Sequence, residues 1–290
     1  MDFPEHHPTS TGEFIVTEDV INDYNEWGFI LVINLLDKQE IELLRETIET
    51  DDGIQGACDG RADGEQRKIR VTVWKNAIDD VTGMIARSEK IAGTFQKLLN
   101  DEVYHYHGKL IMKDAKTGGA HIWHQDYGYW YNNGFLFPDL GTVFIPIDDA
   151  DRENGCLKFI PKSHKAGRIE HLIVGGQAGA DTERVAYLQD ALGLCHVEMK
   201  AGDVLFFHSN LLHRSEQNHS ERRRWAYLIA YCAKSNTPPE VDFRTRYSHL
   251  DLVPNSAIKE CQPAVPTRES RGFFSQADIS ASLKGLRAIH

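Results

Sequence analysis

The chain has 290 residues, 41% of them hydrophobic, and 32 basic residues stand against 43 acidic ones for a formal charge of −11. That length and apolar content suffice for one large globular domain, and the acidic balance leaves no basic stripe to neutralise phosphates, which argues against nucleic acid as a partner. Five scattered cysteines with no Cys-x-x-Cys pair indicate neither a disulfide framework nor a zinc site, and no segment has the pattern of a signal peptide or membrane span; a cytoplasmic protein without a membrane partner is expected.

Thr17 can cap a short helix with Val20, Ile21, Tyr24 and Trp27 on one face, ended by Gly28. Phe29 to Ile33 reads as a buried strand, and Asp37 with Glu40 three residues on opens a second helix carrying Ile41, Leu44 and Ile48. Residues 50–66, rich in Asp and Gly, read as a surface loop, residues 67–74 as a strand, and Met84 to Leu99 as one amphipathic helix. From Val103 onward short apolar runs recur between Gly, Asn and Asp turns, at 104–112, 142–147, 156–161, 204–207 and 225–232. This is the pattern of a β-sandwich or jelly roll. A Gly-rich, helix-compatible insertion interrupts it at 172–193, and a last helix is expected after Ser275.

His124 and Asp126 are two residues apart, so on an extended strand both would face one side and could grip one ion. His213 could add a third ligand, giving the two imidazoles and one carboxylate of non-heme Fe(II) oxygenases. With 14 histidines in the chain, such a pair also arises by chance. Arg224, at the head of an apolar strand, could pair with the carboxylate of a small acid, although composition alone reads Arg222 to Arg224 as a solvated cluster.

Several motifs stand in order: Trp-His124-Gln-Asp126, Asp151-Arg-Glu-Asn-Gly-Cys-Leu157, Ile160-Pro-Lys-Ser-His164, Gly202-Asp-Val-Leu-Phe-Phe-His208, and His213-Arg-Ser-Glu-Gln-Asn218 ending at Arg224. Together with Glu26-Trp-Gly-Phe-Ile-Leu-Val32, they make residues 20–233 resemble the phytanoyl-CoA dioxygenase family of Fe(II)/2-oxoglutarate oxygenases. The resemblance implies a mainly β fold with flanking α, a double-stranded β-helix (jelly-roll, cupin-like) core at about 103–233, N-terminal helices at about 15–102 packed on one sheet, and an unmatched extension at 234–290. It implies His124, Asp126 and His213 as iron ligands and catalytic residues, with Arg224 and Ser215 on the distal carboxylate of 2-oxoglutarate. Lys113 and Phe144 fall at positions near the cosubstrate. Asp126 stands where related halogenases carry a small residue, so hydroxylation with O₂ as the second cosubstrate is expected.

Tyr127-Gly-Tyr-Trp-Tyr131, with Phe135 and Phe137, is either core packing or a substrate wall, and Tyr127, Tyr129 and Trp130 are the candidate substrate contacts. The loop from Lys165 to His171 could close over a substrate, whereas His121, His164, His208 and His219 are expected to be structural or surface histidines. The expected protein is a hydroxylase of a small organic molecule that releases succinate and CO₂. Two alternatives are a metal-binding jelly roll without turnover and a cupin-type metal enzyme that uses no 2-oxoglutarate.

Overall fold

A computed structural model describes residues 3–63, 66–174, 177–236, 250–261, 268–275 and 286–288. β1 (Glu5–His6) and α1 (Glu18–Trp27) lead into β2 (Phe29–Val32), followed by α2 (Lys38–Thr50), α3 (Asp52–Gly56), β3 (Asp59–Ala62) and β4 (Lys68–Trp74). Next come α4 (Val81–Arg87), a π-helical turn at Glu89–Gly93, α5 (Thr94–Leu99), β5 (Val103–Lys113), β6 (His121–His124) and α6 (Asp126–Trp130). β7 (Leu140–Pro146), β8 (Leu157–Phe159), a hairpin of β9 (His171–Val174) and β10 (Gln177–Ala180), α7 (Thr182–Leu192) and β11 (Cys195–Val197) follow. The series continues with β12 (Val204–His208), β13 (His213–Ser215), β14 (Arg224–Ala233), α8 (Ala257–Glu260) and α9 (Arg268–Arg271).

Two sheets face each other in a double-stranded β-helix. The larger has the order β1-β2-β12-β7-β14-β5-β4-β3, and the smaller has the order β11-β8-β13-β6. Between them Phe29, Ile69, Val71, Ile111, Phe144, Leu205, Phe207, Ala226 and Leu228 of the large sheet pack on Leu157, Phe159, Cys195 and Val197 of the small one. The opposite face of the large sheet, through Val143, Ile145, Phe206, Tyr227, Ile229 and Tyr231, receives the helices at Tyr24, Leu44, Ile85, Ile91 and Phe95. A strand covered on both faces has no polar side, which is why β2, β7 and β14 are buried at every position. Within β14 the odd residues serve the helices, while Arg224, Ala226 and Leu228 face the smaller sheet.

The N-terminal helices form where their caps lie. Thr17 accepts from the Val20 amide, Gly28 takes the left-handed conformation at φ +82°, and Asp37 and Glu40 exchange side-chain bonds to each other's amides at 3.1 and 2.9 Å. Two expectations are corrected. Residues 50–66 are not a loop throughout: Asp51 caps α3, and β3 pairs with β4. Met84–Leu99 is not one helix, because the Ser88 hydroxyl bonds the Ile85 carbonyl and its extended backbone ends α4 before the π-helical turn. The insertion at 172–193 holds the β9–β10 hairpin and α7, whereas the helix expected after Ser275 lies outside the described residues. No helix among the described residues is long and apolar enough to cross a membrane.

Arg271 of α9 fastens the C-terminal stretch to the scaffold by donating to Asp51, Asp80 and the Thr82 hydroxyl. The same stretch brings Phe274 to β4, where its amide donates to the Val73 carbonyl. Buried histidines give the fold a pH limit. Burial holds His105 down at about 4 and His208 at about 3, from an ordinary 6.5. Both stay neutral in the folded chain at pH values where the unfolded chain protonates them, so their stabilising contribution is full above pH 6.5 and is lost as pH falls from there. Thermal midpoints are therefore expected to be flat between pH 7 and 8 and to fall steadily below 6.5, each histidine contributing about 1.4 kcal/mol per pH unit. His208→Gln should shallow that slope; an unchanged slope refutes the assignment.

Candidate metal centre

The metal motif sits where β6 stops. His124 is its last residue, Gln125 remains extended at φ −111° and ψ 137°, and Asp126 is already the first residue of α6. A two-residue strand repeat therefore does not by itself juxtapose His124 and Asp126; the chain turns into a helix between them. The turn is fixed by the Tyr127 amide, which donates to the Ser209 carbonyl at 2.9 Å. On the adjacent antiparallel strand, His213 is the register partner of His124, and the two rings lie 4.0 Å apart. The ligand atoms of His124, Asp126 and His213 all lie within 4.8 Å of one another, and all three residues are buried.

Hydrogen bonds set the protonation of this cluster. Nδ1 of His124 faces the Ile122 carbonyl at 2.8 Å and Nδ1 of His213 faces the Leu211 carbonyl at 2.9 Å. A carbonyl only accepts, so each Nδ1 carries the hydrogen and each Nε2 keeps its lone pair, the tautomer a metal requires. Both Nε2 atoms point at Asp126 Oδ1, at 3.8 and 4.0 Å, too far for hydrogen bonds and suited to a shared cation. Burial first, and for His124 the neighbouring His213, hold these imidazoles below their ordinary pKa. Burial pushes the Asp126 carboxyl up, but His213, Lys109 and the Thr142 hydroxyl outweigh it and keep the group ionised. Thr142 Oγ1 donates to Oδ2 at 2.7 Å and the Tyr129 hydroxyl to Oδ1 at 3.2 Å. The donor set is one oxygen anion and two neutral imidazole nitrogens, which fits divalent iron with positions left open.

Gln125, fully buried between the ligands, anchors the motif. Its amide donates to the Gly167 and Asn210 carbonyls at 2.8 and 2.7 Å, its side-chain oxygen accepts from the Ile169 amide at 2.7 Å, and its backbone N–H donates to His171 Nε2 at 2.9 Å. The segment 165–171 is thereby tied to the turn between His124 and Asp126; Arg168 adds a bond to the Gly128 carbonyl at 3.2 Å.

A cavity opens beside the ligands, lined by Lys109, Ile111, His121, Phe144, Leu157, Phe207, Ser215, Arg224 and Leu228. Arg224 enters it fully buried. Its Nη2 donates to the Gly155 carbonyl at 2.8 Å, while Nε and Nη1, donors on two edges of the planar group, are buried without a partner. Burial lowers this guanidinium to about 10, so it is charged at neutral pH. Gly155 is required at its place: φ is +82°, and a Cβ there would sit 2.4 Å from the Glu216 carbonyl oxygen.

The buried ammonium of Lys113 donates to the Glu216 carbonyl, and Lys109, two pleat repeats earlier on the same face, lines the cavity. The aromatic candidates also separate, because α6 turns successive side chains by about 100°. Tyr129 lies at the metal centre through its bond to Asp126, and Trp130 stands edge-on to His107 at 5.5 Å. Tyr127 is turned into packing with Tyr131 and donates to the Phe135 carbonyl at 3.0 Å. His121 lines the cavity against His124 at 4.1 Å without joining the three-residue cluster; His164 and His208 pack on each other near α1, and no metal cluster among the described residues includes His219. Lys109, His107 and Thr142 had no motif to flag them; only the strand register shows them.

The phytanoyl-CoA dioxygenase family model matches residues 24–226. The chain belongs to this family. It is an Fe(II)- and 2-oxoglutarate-dependent dioxygenase, and the cluster just described has the donors that iron needs. The chain is 27% identical over 264 residues to the L-proline trans-4-hydroxylase of Streptomyces griseoviridis, covering 86% of this chain and 95% of that one. It is 23% identical over 265 residues to the ectoine dioxygenase of Bordetella bronchiseptica, covering 86% and 85%. The crystal structure of EctD from S. alaskensis with 2-oxoglutarate and 5-hydroxyectoine superposes with a TM-score of 0.69 at 20% identity, covering 87% and 94%, which places the two in one fold.

Gln125→Ala would strand the Ile169 amide and two carbonyls in the interior, each costing about 1–3 kcal/mol. The expected result is a fall in thermal midpoint of several degrees together with reduced iron content after reconstitution. Iron content equal to the native enzyme would show that the ligands need no such anchor.

Proposed function

We propose that this dioxygenase holds Fe(II) through His124, Asp126 and His213, and that Arg224, with Ser215 and Lys109, receives the acid groups of 2-oxoglutarate. The unpaired donors of Arg224 carry this reading. A buried guanidinium with two unpaired donors is costly unless an anion meets it, and a carboxylate supplies charge-assisted acceptors. A cupin-type metal enzyme that uses no acid of this kind would have no use for it.

When bound, the iron and 2-oxoglutarate supply O₂ activation: one oxygen atom enters succinate as CO₂ leaves, and the other enters a substrate C–H bond to give C–OH. The chain's own residues perform the rest. The Ile122 and Leu211 carbonyls hold the two imidazoles in the ligand tautomer, Thr142 and Tyr129 orient the Asp126 carboxylate, and Phe144, Phe207, Leu157 and Leu228 exclude water around it. Similarity to enzymes named for L-proline and ectoine supports a small amino-acid-type molecule as the substrate.

His124→Ala or Asp126→Ala is expected to abolish iron-dependent succinate formation, measured by mass spectrometry; undiminished turnover sinks the ligand assignment. Arg224→Ala should raise the KM for 2-oxoglutarate about 10- to 100-fold, the loss of about 1.5–3 kcal/mol of charge-assisted bonding, with little change in iron content. Lys109→Met should also raise that KM more than Lys113→Met does, and the reverse order would place Lys113 at the cosubstrate site.

A further inference from the structure

One basic residue near the metal centre, outside the lining of that cavity, has no place in the scheme above. Arg61 lies on β3, at the edge of the large sheet, and its register partner Ile69 belongs to the core between the sheets, so its side chain turns into that gap. The facing edge of the small sheet is β6, which carries the metal motif. Gln177 links the two edges: its side-chain nitrogen donates to the Ala62 and Ala120 carbonyls at 2.9 and 3.1 Å, and its oxygen accepts from the Ile122 amide at 3.3 Å. Arg61 thus stands at the opening between the sheets, within electrostatic reach of His107, Lys109, His121 and Tyr129.

Its Nε is buried without a hydrogen-bond partner, and among the described residues no carboxylate lies within ion-pair distance of its guanidinium. Asp126, the acid of the metal centre, is already engaged by Thr142 and Tyr129. Arg61 is half-buried with Asp59 of the same strand as an electrostatic neighbour, and its unpaired Nε leaves a donor that an anion from outside can meet. The register carries the row of Arg61 through Ile69 toward Lys113 and Arg224, three strands away, about 14 Å at the usual strand spacing. Their surroundings differ: Arg224 donates to the Gly155 carbonyl, whereas Arg61 lies within electrostatic reach of Tyr129 at the metal centre. Trp130 and Phe274 stand edge-on to His107, at 5.5 and 6.4 Å, and provide apolar walls.

We propose that Arg61 is the substrate-specificity residue, receiving the carboxylate of a small acid at the opening between β3 and β6 and so holding the rest of that molecule toward the metal centre. This rests on the hydroxylase reading above. It places a residue of the N-terminal scaffold, outside every motif of the jelly-roll core, in substrate recognition.

The test uses the full chain loaded anaerobically with Fe(II) and 2-oxoglutarate, whose visible charge-transfer band reports cosubstrate binding. A panel of L-proline, the other common amino acids and ectoine, with the carboxamides of the amino acids, is then screened for succinate release in air. Compounds with a free carboxylate should stimulate release, and their amides should be at least tenfold weaker. Arg61→Gln should raise the KM for the stimulating acid at least tenfold while the charge-transfer band and the KM for 2-oxoglutarate stay within twofold; Arg61→Lys should recover part of the loss. The proposal is overturned if Arg61→Gln leaves the acid's KM unchanged, if amides match acids, or if no carboxylate in the panel stimulates the native enzyme. A native enzyme without the charge-transfer band fails earlier, at the iron and cosubstrate reading, so the two failures are distinct.

Discussion

One buried carboxylate governs the centre of this molecule. Asp126 lies in the gap between two sheets, faced by two imidazole lone pairs and held by two hydroxyls. A charge so placed is stable only if cations and dipoles meet it, and the architecture around it follows from that need. β6 and β13 must lie side by side to present His124 and His213 across from each other. The Ile122 and Leu211 carbonyls must take the Nδ1 hydrogens, and Gln125 must lash the turn after His124 to two separate segments, 165–171 and Asn210.

The rest of the fold keeps that gap rigid and dry. The large sheet is covered by helices on one face and by the small sheet on the other, so its strands carry apolar residues on both sides and charged residues are exceptional within it. Arg224, Lys109 and Lys113 are its buried lysines and arginine, all on the two paired strands β5 and β14. Lys113 is satisfied by the Glu216 carbonyl, whereas the other two open into the cavity. A cavity lined by Lys109 and Arg224 and by no carboxylate is built to receive acids, and a diacid cosubstrate is the kind of ligand that balances it.

Much of this was legible along the chain because it is local. Helix caps at Thr17 and Asp37, the stop at Gly28 and the apolar runs of β2, β7, β12 and β14 are short-range signals, and the motifs around His124, His213 and Arg224 lie within a few residues of each ligand. What escaped depends on pairing. Ser88 breaks a helix by one side-chain bond that periodicity does not weigh, and α6 begins at Asp126 because of a carbonyl 83 positions downstream, that of Ser209. The helical turn of α6 then divides an aromatic cluster that looks continuous in sequence, sending Tyr127 into packing and Tyr129 to the metal centre.

The sequence alone determined the donor types, the order of the motifs and the two-layer apolar pattern, since each is a property of residues and their spacing. Tertiary structure decided which of two lysines on one strand reaches the cavity, that Gly155 must lack a side chain to aim its carbonyl at Arg224, and that Arg61 comes from a stretch resembling a loop to face the metal motif. These are matters of register between strands distant along the chain, and register is set by how two sheets close on each other, which no local spacing encodes.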